Sequence, residues 1–419
     1  MSTHVFSGRW TREDRAASLY QEVPFDLPTG ISTVMVELEY DRADGAVLDL
    51  GCQGVDGFRG WSGGARNRYV ITPRGATPGY LPGPLAAGEW SVLLGLYRVP
   101  AAGVAWRLTV EASPVIAGED LEHVHQGSAI DALLDPSGNA AALRPQGLGV
   151  ARDLPAPAGM RWLAGDLHAH TVHSDGVLGV EGLARLAASR GLDYLAVTDH
   201  NTVSHHPFLA AAGKAAGIVL VPGQEVTSVR GHANAFGAIG RIEFRDPPSA
   251  WARAAAERGG LLSVNHPVAF DCSWQAPLDG PTPLAEVWHS SWHPRDAAPL
   301  AWWVASATQT RAIGGSDFHR PGDNAEPGSP TTWLLCDEPT ADGVLRALAQ
   351  GRSAVAADPL GPVLLRVEDE LFALNADGLL LSGPGRPLLP IRGERARHPA
   401  DTGRYWLETH DGTIKALTS

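Results

Sequence analysis

The sequence is poor in cysteine and contains no long apolar run, and both shortages limit the class of protein. Only three cysteines occur in 419 residues, Cys52, Cys272 and Cys336, far apart and odd in number. They cannot form a disulfide framework and favour a reducing compartment. No stretch reaches the ~18 apolar residues of a membrane span, and the opening MSTHVFSGRWTRED lacks the apolar run of a signal peptide. We therefore expect a cytoplasmic protein with no membrane partner.

Basic residues are also in short supply. Asp and Glu total 46 against 33 Lys and Arg, a formal net charge of -13 at pH 7. This balance does not favour extended binding to a nucleic-acid backbone, although a local basic pocket could hold one phosphate. The sequence gives no indication of an oligomeric state.

What is present is typical of a globular chain of two or three domains, with 44% hydrophobic and 19% charged residues. Residues 1–112 alternate in the manner of half-buried strands, with Val34, Val36 and Leu38 on one face and Glu37 and Glu39 on the other. We expect an N-terminal β-sandwich there. The proline-containing segment 113–158 is predicted to be a connector.

From residue 159 to residue 357 the pattern changes to short apolar strands alternating with helical segments, which indicates an α/β region of βα units around a parallel sheet. The stretch VEGLARLAASRG, for example, places Val180, Leu183 and Ala187 on one helical face before a glycine suited to a C-cap. Residues 358–419 return to strand-like pieces and predict a small β-rich C-terminal segment.

The predicted strands of the middle region end in side chains that can bind a metal. In a βα barrel these strand ends meet on one face, where active sites form. Side chains two apart in a strand point the same way, so His168 and His170 can hold one ion, and Asp317 and His319 repeat that spacing. The residues at strand ends are His168, His170, Asp199, His200, Glu225, His266, Asp317 and His319.

A lone pair of histidines would be weak evidence, because histidines often cap helices or sit satisfied in a core. Eleven of the 16 histidines, however, lie between residues 168 and 319, which favours metal binding. His173 is one residue off the paired spacing, so ligation, loop stabilisation and substrate contact all stay open for it. His289 and His293 are ambiguous and could contact substrate.

Nitrogen and oxygen ligands without cysteine suit Zn, Mn or Fe rather than a structural zinc site. A carboxylate such as Glu225 can bridge two ions. Closely spaced ions lower the pKa of a shared water and stabilise both the entering and the leaving oxygen of a substrate, so hydrolysis is the expected chemistry.

Six separated segments, DLHAHTVHSDG, VTDHNT, PGQEVTS, GHANAFG, VNHP and GGSDFH, resemble in that order the motifs of the PHP family, the polymerase and histidinol phosphatase superfamily of metal-dependent phosphoesterases. The resemblance covers residues ~161 to 357. The combination EVWHSSWHP and GGSDFH, with a β-rich N-terminal domain and the closing IKALTS, looks most like the carbaryl-hydrolase-like branch. This resemblance implies a distorted (β/α)7 barrel that holds two or three divalent ions.

The resemblance also implies a ligand set, which is carried over residue by residue. The first ion would be held by His168, His170, Glu225 and Asp317, with Glu225 bridging to a second ion held by His232 and His266. Asp175, His200 and His319 would hold a third. Glu225, Asp317, His200 and His319 are expected to be catalytic as well. Family members commonly have asparagine where this chain has His289, so the surrounding WHSSWH stretch is expected to alter substrate preference.

The leading functional hypothesis is a phosphoesterase in which a metal-bridging hydroxide cleaves small phosphate mono- or diesters. Its expected substrate-binding residues are His289, His293, Arg295, Arg320 and Asn201, although either arginine could instead lie on the surface. The alternative is carbamate, ester or amide hydrolysis at the same ions, with an aryl carbamate as substrate. Trp288 and Trp292 would favour that alternative if they line the pocket. A metal-stabilised binding scaffold is the non-enzymatic hypothesis.

Overall fold

The computed structural model describes residues 1–115, 153–270, 272–277 and 282–419. Among these residues, contacts divide the chain into two units. The first comprises residues 1–115, 172–175 and 200–205, and the second comprises the remaining described residues. Most of the predicted connector, residues 116–152, lies outside the described residues.

The first unit is built from antiparallel strands. Its elements are β1 (Ser2–Trp10), α1 (Arg12–Ala17), β2 (Tyr20–Leu27), β3 (Thr33–Tyr40), a 3-10 turn (Ala43–Gly45), β4 (Val47–Gly54), β5 (Gly57–Gly63), β6 (Arg68–Ile71), β7 (Gly88–Arg98) and β8 (Val104–Ser113). They form two four-stranded sheets, in the orders β1-β8-β3-β6 and β2-β7-β4-β5.

The two sheets share one hydrophobic core, which contains Val36 of β3, Leu94 of β7 and Val110 of β8. Strand β3 alternates as expected, since Val36 is buried while its neighbour Glu37 is exposed. A strand with one apolar face can bury that face only against another layer. The prediction of an all-β N-terminal region is therefore confirmed.

The second unit combines helices with a large mixed sheet. Its first elements are β9 (Arg161–Asp166), α2 (Val180–Ser189), β10 (Tyr194–Val197), α3 (His206–Ala216), β11 (Val219–Ser228), β12 (Gly231–Phe236), α4 (Pro248–Glu257), β13 (Leu261–Val264), β14 (Leu284–His289), α5 (Ala298–Ala305), β15 (Arg311–Gly315), β16 (Thr331–Cys336) and α6 (Ala341–Ala349). Then follow β17 (Ser353–Ala356), β18 (Val363–Val367), β19 (Glu370–Leu374), β20 (Leu380–Ser382), β21 (Leu389–Pro390), β22 (Arg395–Pro399), β23 (Tyr405–Glu408) and β24 (Ile414–Thr418).

The helices follow their sequence signals. In α2, Val180, Leu183 and Ala187 are buried, and the helix is followed by Gly191, whose φ of +81° suits the left-handed turn after a helix. At the start of α6 the side chain of Thr340 accepts a hydrogen bond from Gly343 N. Within the described residues, no helix has both the length and the apolar character needed to cross a membrane.

The large sheet has the strand order β15-β14-β13-β12-β11-β10-β9-β16-β17-β24-β23-β20-β21. Strands β9, β10 and β11 are parallel, as are β13, β14 and β15, but β12 is antiparallel to both of its neighbours. The predicted α/β character is confirmed, and the parallel pairing is interrupted at β12.

Closure of the predicted (β/α)7 barrel is not seen in the strand ladders of the described residues. Between β15 and β16, the Thr332 hydroxyl accepts from Gly314 N at 2.7 Å and donates to Gly314 O at 2.9 Å. A side chain thus links the backbone of β15 to β16, and a single parallel bridge joins Ala169, after β9, to Phe318, after β15. Strand β16 itself pairs with β9 and β17, antiparallel to both.

The C-terminal residues are β-rich, as predicted, but they do not form a separate sheet throughout. Strands β24, β23, β20 and β21 extend the large sheet, while β18, β19 and β22 form a three-stranded sheet. One core cluster joins Trp162 of β9 and Trp333 of β16 to Leu364 of β18 and Leu407 of β23. The C-terminal segment therefore shares a core with the strands that precede it.

Glu243 fixes the turn that leads into α4. Its carboxylate accepts hydrogen bonds from Arg241 Nη2 at 2.8 Å and from Arg245 Nη2 and Nε at 2.8 and 2.9 Å. Burial raises the pKa of Glu243, but the two guanidinium groups outweigh burial and hold this pKa at about 2, below the usual 4.5.

Because the folded-state pKa is depressed, Glu243 stabilises the fold above pH 4.5, and that contribution is lost as the pH falls from 4.5 toward 2. At pH 7 we expect Glu243→Gln to lower the free energy of unfolding by roughly 1 kcal/mol, allowing for solvent screening. Urea unfolding at pH 7 and pH 3.5 measures the effect, with Glu257→Gln on an exposed position as control. A difference between wild type and variant that does not shrink at pH 3.5 would contradict this assignment.

Candidate metal centre

Asp166 at the end of β9 holds two ligand-bearing segments side by side. Its Oδ1 accepts hydrogen bonds from His168 N at 3.1 Å and from Ser316 N at 3.0 Å, and its Oδ2 accepts one from Gly328 N at 2.8 Å. Burial raises the pKa of this carboxyl, and the backbone and side-chain donors oppose that rise. The fully buried Asp166 carboxylate therefore links the backbone of His168 to the backbone of Ser316 and Gly328.

The two i, i+2 motifs lie next to each other, each just after the end of its strand, β9 or β15. Asp317 N donates to His168 O, and His170 N donates to Phe318 O, both at 2.9 Å. On the side-chain level, His168 Nε2 is 3.1 Å and His170 Nε2 is 2.9 Å from the same Asp317 Oδ1. The rings of His170 and His319 stack with centroids 4.2 Å apart. These four residues form one wall of the candidate centre.

Glu225 of β11 lies at the middle of the cluster and is fully buried. Its Oε1 is 3.3 Å from His168 Nε2, 3.2 Å from His232 Nδ1 and 3.5 Å from His266 Nε2. Its Oε2 is 3.5 Å from His170 Nε2. One carboxylate thus faces imidazoles on both of its oxygens, the arrangement that a bridging ligand requires.

The second predicted ligand set, His232 and His266 with Glu225, is brought together by adjacent strands. His232 lies on β12, which pairs with β11, and His266 follows β13, which pairs with β12. His289 at the end of β14 also enters the cluster, with Nε2 at 3.2 Å from Asp317 Oδ2 and its ring 5.0 Å from that of His266. His266 and His289 therefore both have ligand-capable geometry.

Two residues of the cluster have unusual backbone conformations. The φ angles are +28° at His266 and +54° at Asp317, in or near the left-handed region that non-glycine residues seldom adopt. Each follows the end of a strand, where the reversal redirects the side chain toward the cluster. Such strain persists where the surrounding structure imposes it, and it is concentrated at functional sites.

Glu286 on β14 was missed by the sequence analysis. It is almost fully buried, accepts a hydrogen bond from His168 Nδ1 at 3.0 Å through Oε1, and accepts one from His266 N at 2.9 Å through Oε2. A donating Nδ1 leaves Nε2 as the lone-pair atom of a neutral ring, which is the tautomer that metal ligation requires. The sequence feature that could have indicated Glu286 is its place as the single acidic residue in the otherwise largely apolar strand LAEVWH.

The close approach of Gly315 is part of the same arrangement. A Cβ at this position would collide with Glu286 Oε1 and His168 Cβ. A glycine is therefore needed for the carboxylate to reach the imidazole.

Asn265 was also missed. Its Nδ2 donates to Glu225 Oε1 at 2.8 Å, and its Oδ1 accepts from Asn234 N at 3.2 Å. Asp199, expected among the residues able to bind a metal, instead accepts hydrogen bonds from Thr171 N at 2.8 Å and Thr171 Oγ1 at 2.6 Å. Both side chains orient the chain around the cluster.

The imidazoles and carboxylates of the cluster shift each other's pKa values. Burial lowers the pKa of His168, but the carboxylates of Asp317, Glu225 and Glu286 together raise it well above its ordinary value. Burial raises the pKa of Asp317, and the facing imidazoles, His168 above all, hold it well below its ordinary value. The Asp317 carboxylate therefore stays anionic and available to a cation.

The donor set fits divalent metal ions. It consists of imidazole nitrogens and carboxylate oxygens, the ligands that Zn, Mn and Fe share. His168 Nε2 is buried, has no hydrogen-bond partner and faces carboxylate oxygens at 3.1 and 3.3 Å. A cation between these groups would satisfy that nitrogen.

Asp175 and His200 belong to the first unit, where His200 Nε2 lies 3.7 Å from Asp175 Oδ1. Asn201, expected to contact substrate, follows His200 with a φ of +55° and is buried. The structure thus pairs two of the three ligands expected for the third ion, and that ion stays a prediction.

Other expected substrate-binding residues lie at the surface. His293 is exposed, Arg295 pairs with Asp411, and Arg320 Nε is 3.7 Å from Asp323 Oδ2. Their roles stay predictions.

The tryptophans near the predicted site belong to a hydrophobic core. Trp288, Trp292 and Trp303 are buried in one cluster, and Trp302 packs against it. Burial in this core gives no support to an aromatic pocket lined by Trp288 and Trp292.

Comparison with known proteins gives a class for this arrangement. Residues 166–268 match the PHP domain model, so the chain contains a PHP domain, as its motifs indicate. The match begins at Asp166 and includes His168, His170, Glu225, His232 and His266. The finer placement in the carbaryl-hydrolase-like branch is not shown by it.

Individual similarities are local or distant. Over 63 residues the chain is 38% identical to a 5'-3' exoribonuclease of Haemophilus influenzae, a match that spans 15% of this chain and 23% of that protein. A two-domain protein of Bacteroides vulgatus, described as containing a predicted PHP-like metal-dependent phosphoesterase, is 18% identical with a TM-score of 0.41 over 64% of this chain and 89% of that one. A proposed metal-dependent phosphoesterase of Bifidobacterium adolescentis is 20% identical with a TM-score of 0.33 over 39% and 90%. Overall likenesses of this size do not by themselves establish fold or function.

Replacing Glu286 should weaken metal binding without removing a ligand. In Glu286→Gln the shape is kept, but the anionic acceptor for His168 Nδ1 is lost, and such a change typically costs roughly 10- to 100-fold in metal affinity. Zinc titration by calorimetry measures the dissociation constants, with Glu257→Gln as the exposed control. Zinc affinity equal to that of wild type would show that Glu286 does not orient His168 for an ion.

Proposed function

We propose that this protein is a PHP-type metal-dependent phosphoesterase that uses two or three divalent ions, Zn, Mn or Fe, to hydrolyse small phosphate mono- or diesters. The observation that carries the proposal is the buried Glu225 carboxylate, whose Oε1 lies within 3.5 Å of nitrogens of His168, His232 and His266 and whose Oε2 lies 3.5 Å from His170 Nε2. The PHP domain match over the same residues supports it. A closed barrel and membership of the carbaryl-hydrolase-like branch are parts of the proposal.

The first ion would be held by His168, His170 and Asp317, and the second by His232 and His266, with Glu225 shared between them. His289 is an additional candidate ligand because its Nε2 faces Asp317. When bound, paired ions of this kind lower the pKa of a shared water and neutralise charge on a phosphate ester.

The chain's own residues prepare this chemistry. Glu286 fixes the His168 ring, and Asp166 fixes the backbone on both sides of it. His319 donates from Nδ1 to Asp317 O at 2.8 Å, which leaves Nε2 as the lone-pair atom of its neutral ring. Preorganised groups of this kind need no rearrangement when charge develops on the substrate.

The substrate class follows from charge as well as from the ligand set. The exoribonuclease relative acts on RNA by its name, but the net charge of -13 does not favour a long polyanion. A small phosphate ester in the cytoplasm is the substrate and location that we propose.

A substrate panel separates the competing functions. Purified protein loaded with zinc or manganese is assayed with aryl phosphate mono- and diesters and with a naphthyl carbamate, and metal content is measured in parallel. We expect turnover of a phosphate ester. Turnover of the carbamate alone would replace phosphoester chemistry with carbamate hydrolysis, and no turnover despite two or more bound ions per chain would favour a binding scaffold.

Glu225→Gln tests the bridging role directly. The neutral amide keeps the size of the side chain but cannot neutralise two cations, so we expect loss of at least one ion per chain and a fall in kcat/KM of about 100-fold or more. Elemental analysis and phosphatase assays measure the two effects, with Glu257→Gln as control. Full metal content and full activity in the variant would refute the bridging assignment.

A further inference from the structure

Two short segments with candidate ligands belong to the first unit. They are residues 172–175, here called the Asp175 loop, and residues 200–205, here called the His200 loop. Within that unit, both loops contact the chain between β5 and the start of β7. This raises the question of what the N-terminal strands do for the loops.

Arg66, between β5 and β6, holds the Asp175 loop by its backbone. Its Nη1 donates to Ser174 O at 2.9 Å, and its Nη2 donates to Val172 O. A guanidinium offers several donors in a rigid plane, so it can fix two carbonyl groups relative to each other. The two carbonyls flank His173 and lie within three residues of Asp175.

Gly79, which follows β6, holds the His200 loop. Its N donates to Ser204 Oγ at 3.0 Å, and its O accepts from Thr202 Oγ1 at 3.0 Å. Gly79 has a φ of +98°, and a Cβ there would lie 2.9 Å from His173 O. Only a glycine fits between the backbone of one loop and the side chains of the other.

The loops are also joined to each other. His173 Nδ1 and Ser204 Oγ are 2.7 Å apart, and Thr202 Oγ1 is 3.1 Å from the same hydroxyl. His173, Thr202 and Ser204 are all buried. Of the roles that the sequence left open for His173, this contact favours loop stabilisation.

We propose that Arg66 and Gly79 are positioning residues, which set Asp175 and His200 for the ion that these two side chains hold. The inference rests on the proposed metal-dependent function. Its physical basis is that a metal site needs its ligands fixed to within about 0.5 Å, and exposed loops reach this only when other elements hold their backbone. The N-terminal strands thereby act on the two ligands through the backbone of the Asp175 and His200 loops.

The first test replaces Arg66 with alanine in the full-length protein. Zinc bound per chain and the dissociation constant of each ion are measured by elemental analysis and calorimetry. We expect one ion to bind about 10- to 100-fold more weakly, while the others keep their wild-type affinity. Arg107→Ala, which removes an exposed arginine that pairs with Glu39 on the same sheets, should leave all of the ions unchanged.

If Arg66→Ala does not fold, two variants of Thr202 provide the test instead. Thr202→Val keeps the shape but removes the hydroxyl that donates to Gly79 O, whereas Thr202→Ser keeps the hydroxyl. We expect the valine variant to weaken the same single ion and the serine variant to restore it. A merely structural role would instead weaken all of the ions together or lower thermal stability equally in both variants.

The outcomes separate this inference from the proposed function. Wild-type protein that binds no divalent ion would overturn both. Wild-type protein that binds ions, with all of them held equally well in Arg66→Ala and Thr202→Val, would overturn the positioning role and leave the proposed function standing.

Discussion

The burial of Glu225 among four imidazoles is the constraint on which the rest of the second unit depends. An ionised carboxylate removed from water is costly unless opposite charge or hydrogen bonds compensate it. Here the compensation comes from His168, His170, His232 and His266, which arrive from β9, β12 and β13 and the residues just after them. Strands β9 and β13 must therefore end, and the antiparallel β12 must begin, at the same edge of the sheet. Two further buried carboxylates fix this arrangement. Asp166 accepts hydrogen bonds from backbone N–H groups, and Glu286 accepts one from the His168 ring.

The parts of the centre that follow from strand geometry were predictable from the sequence. The i, i+2 spacing predicts that His168 lies beside His170 and Asp317 beside His319, but both pairs follow their strands, which end at Asp166 and Gly315, and Asp317 has a φ of +54°. The contacts of Glu286 were not predictable in this way, because a single acidic residue in an apolar strand shows that a partner must exist but not which one. The positive φ angles at His266 and Asp317, which direct these side chains toward the cluster, also could not be predicted from the residue pattern.

In the fold as well, features that depend on nearby residues were predictable from the sequence, and features that depend on distant residues were not. Alternation in β3 and the helical face of α2 were read correctly, since each depends on burial of one face. The pairing of strands is a long-range property, and there the sequence was less informative. The antiparallel β12, the hydrogen bonds of the Thr332 hydroxyl to β15, and the extension of the large sheet by β24 and β23 all depend on contacts between distant residues. The tryptophans illustrate a further limit, because an aromatic residue near a site in sequence can equally belong to the core.

Anomalous diffraction from crystals soaked in zinc would test the central claim most directly. The account predicts two peaks on opposite sides of the Glu225 carboxylate, each about 2 Å from its ligands, one beside His168, His170 and Asp317 and the other beside His232 and His266. Zinc found only at surface carboxylates, with no peak next to Glu225, would contradict the account.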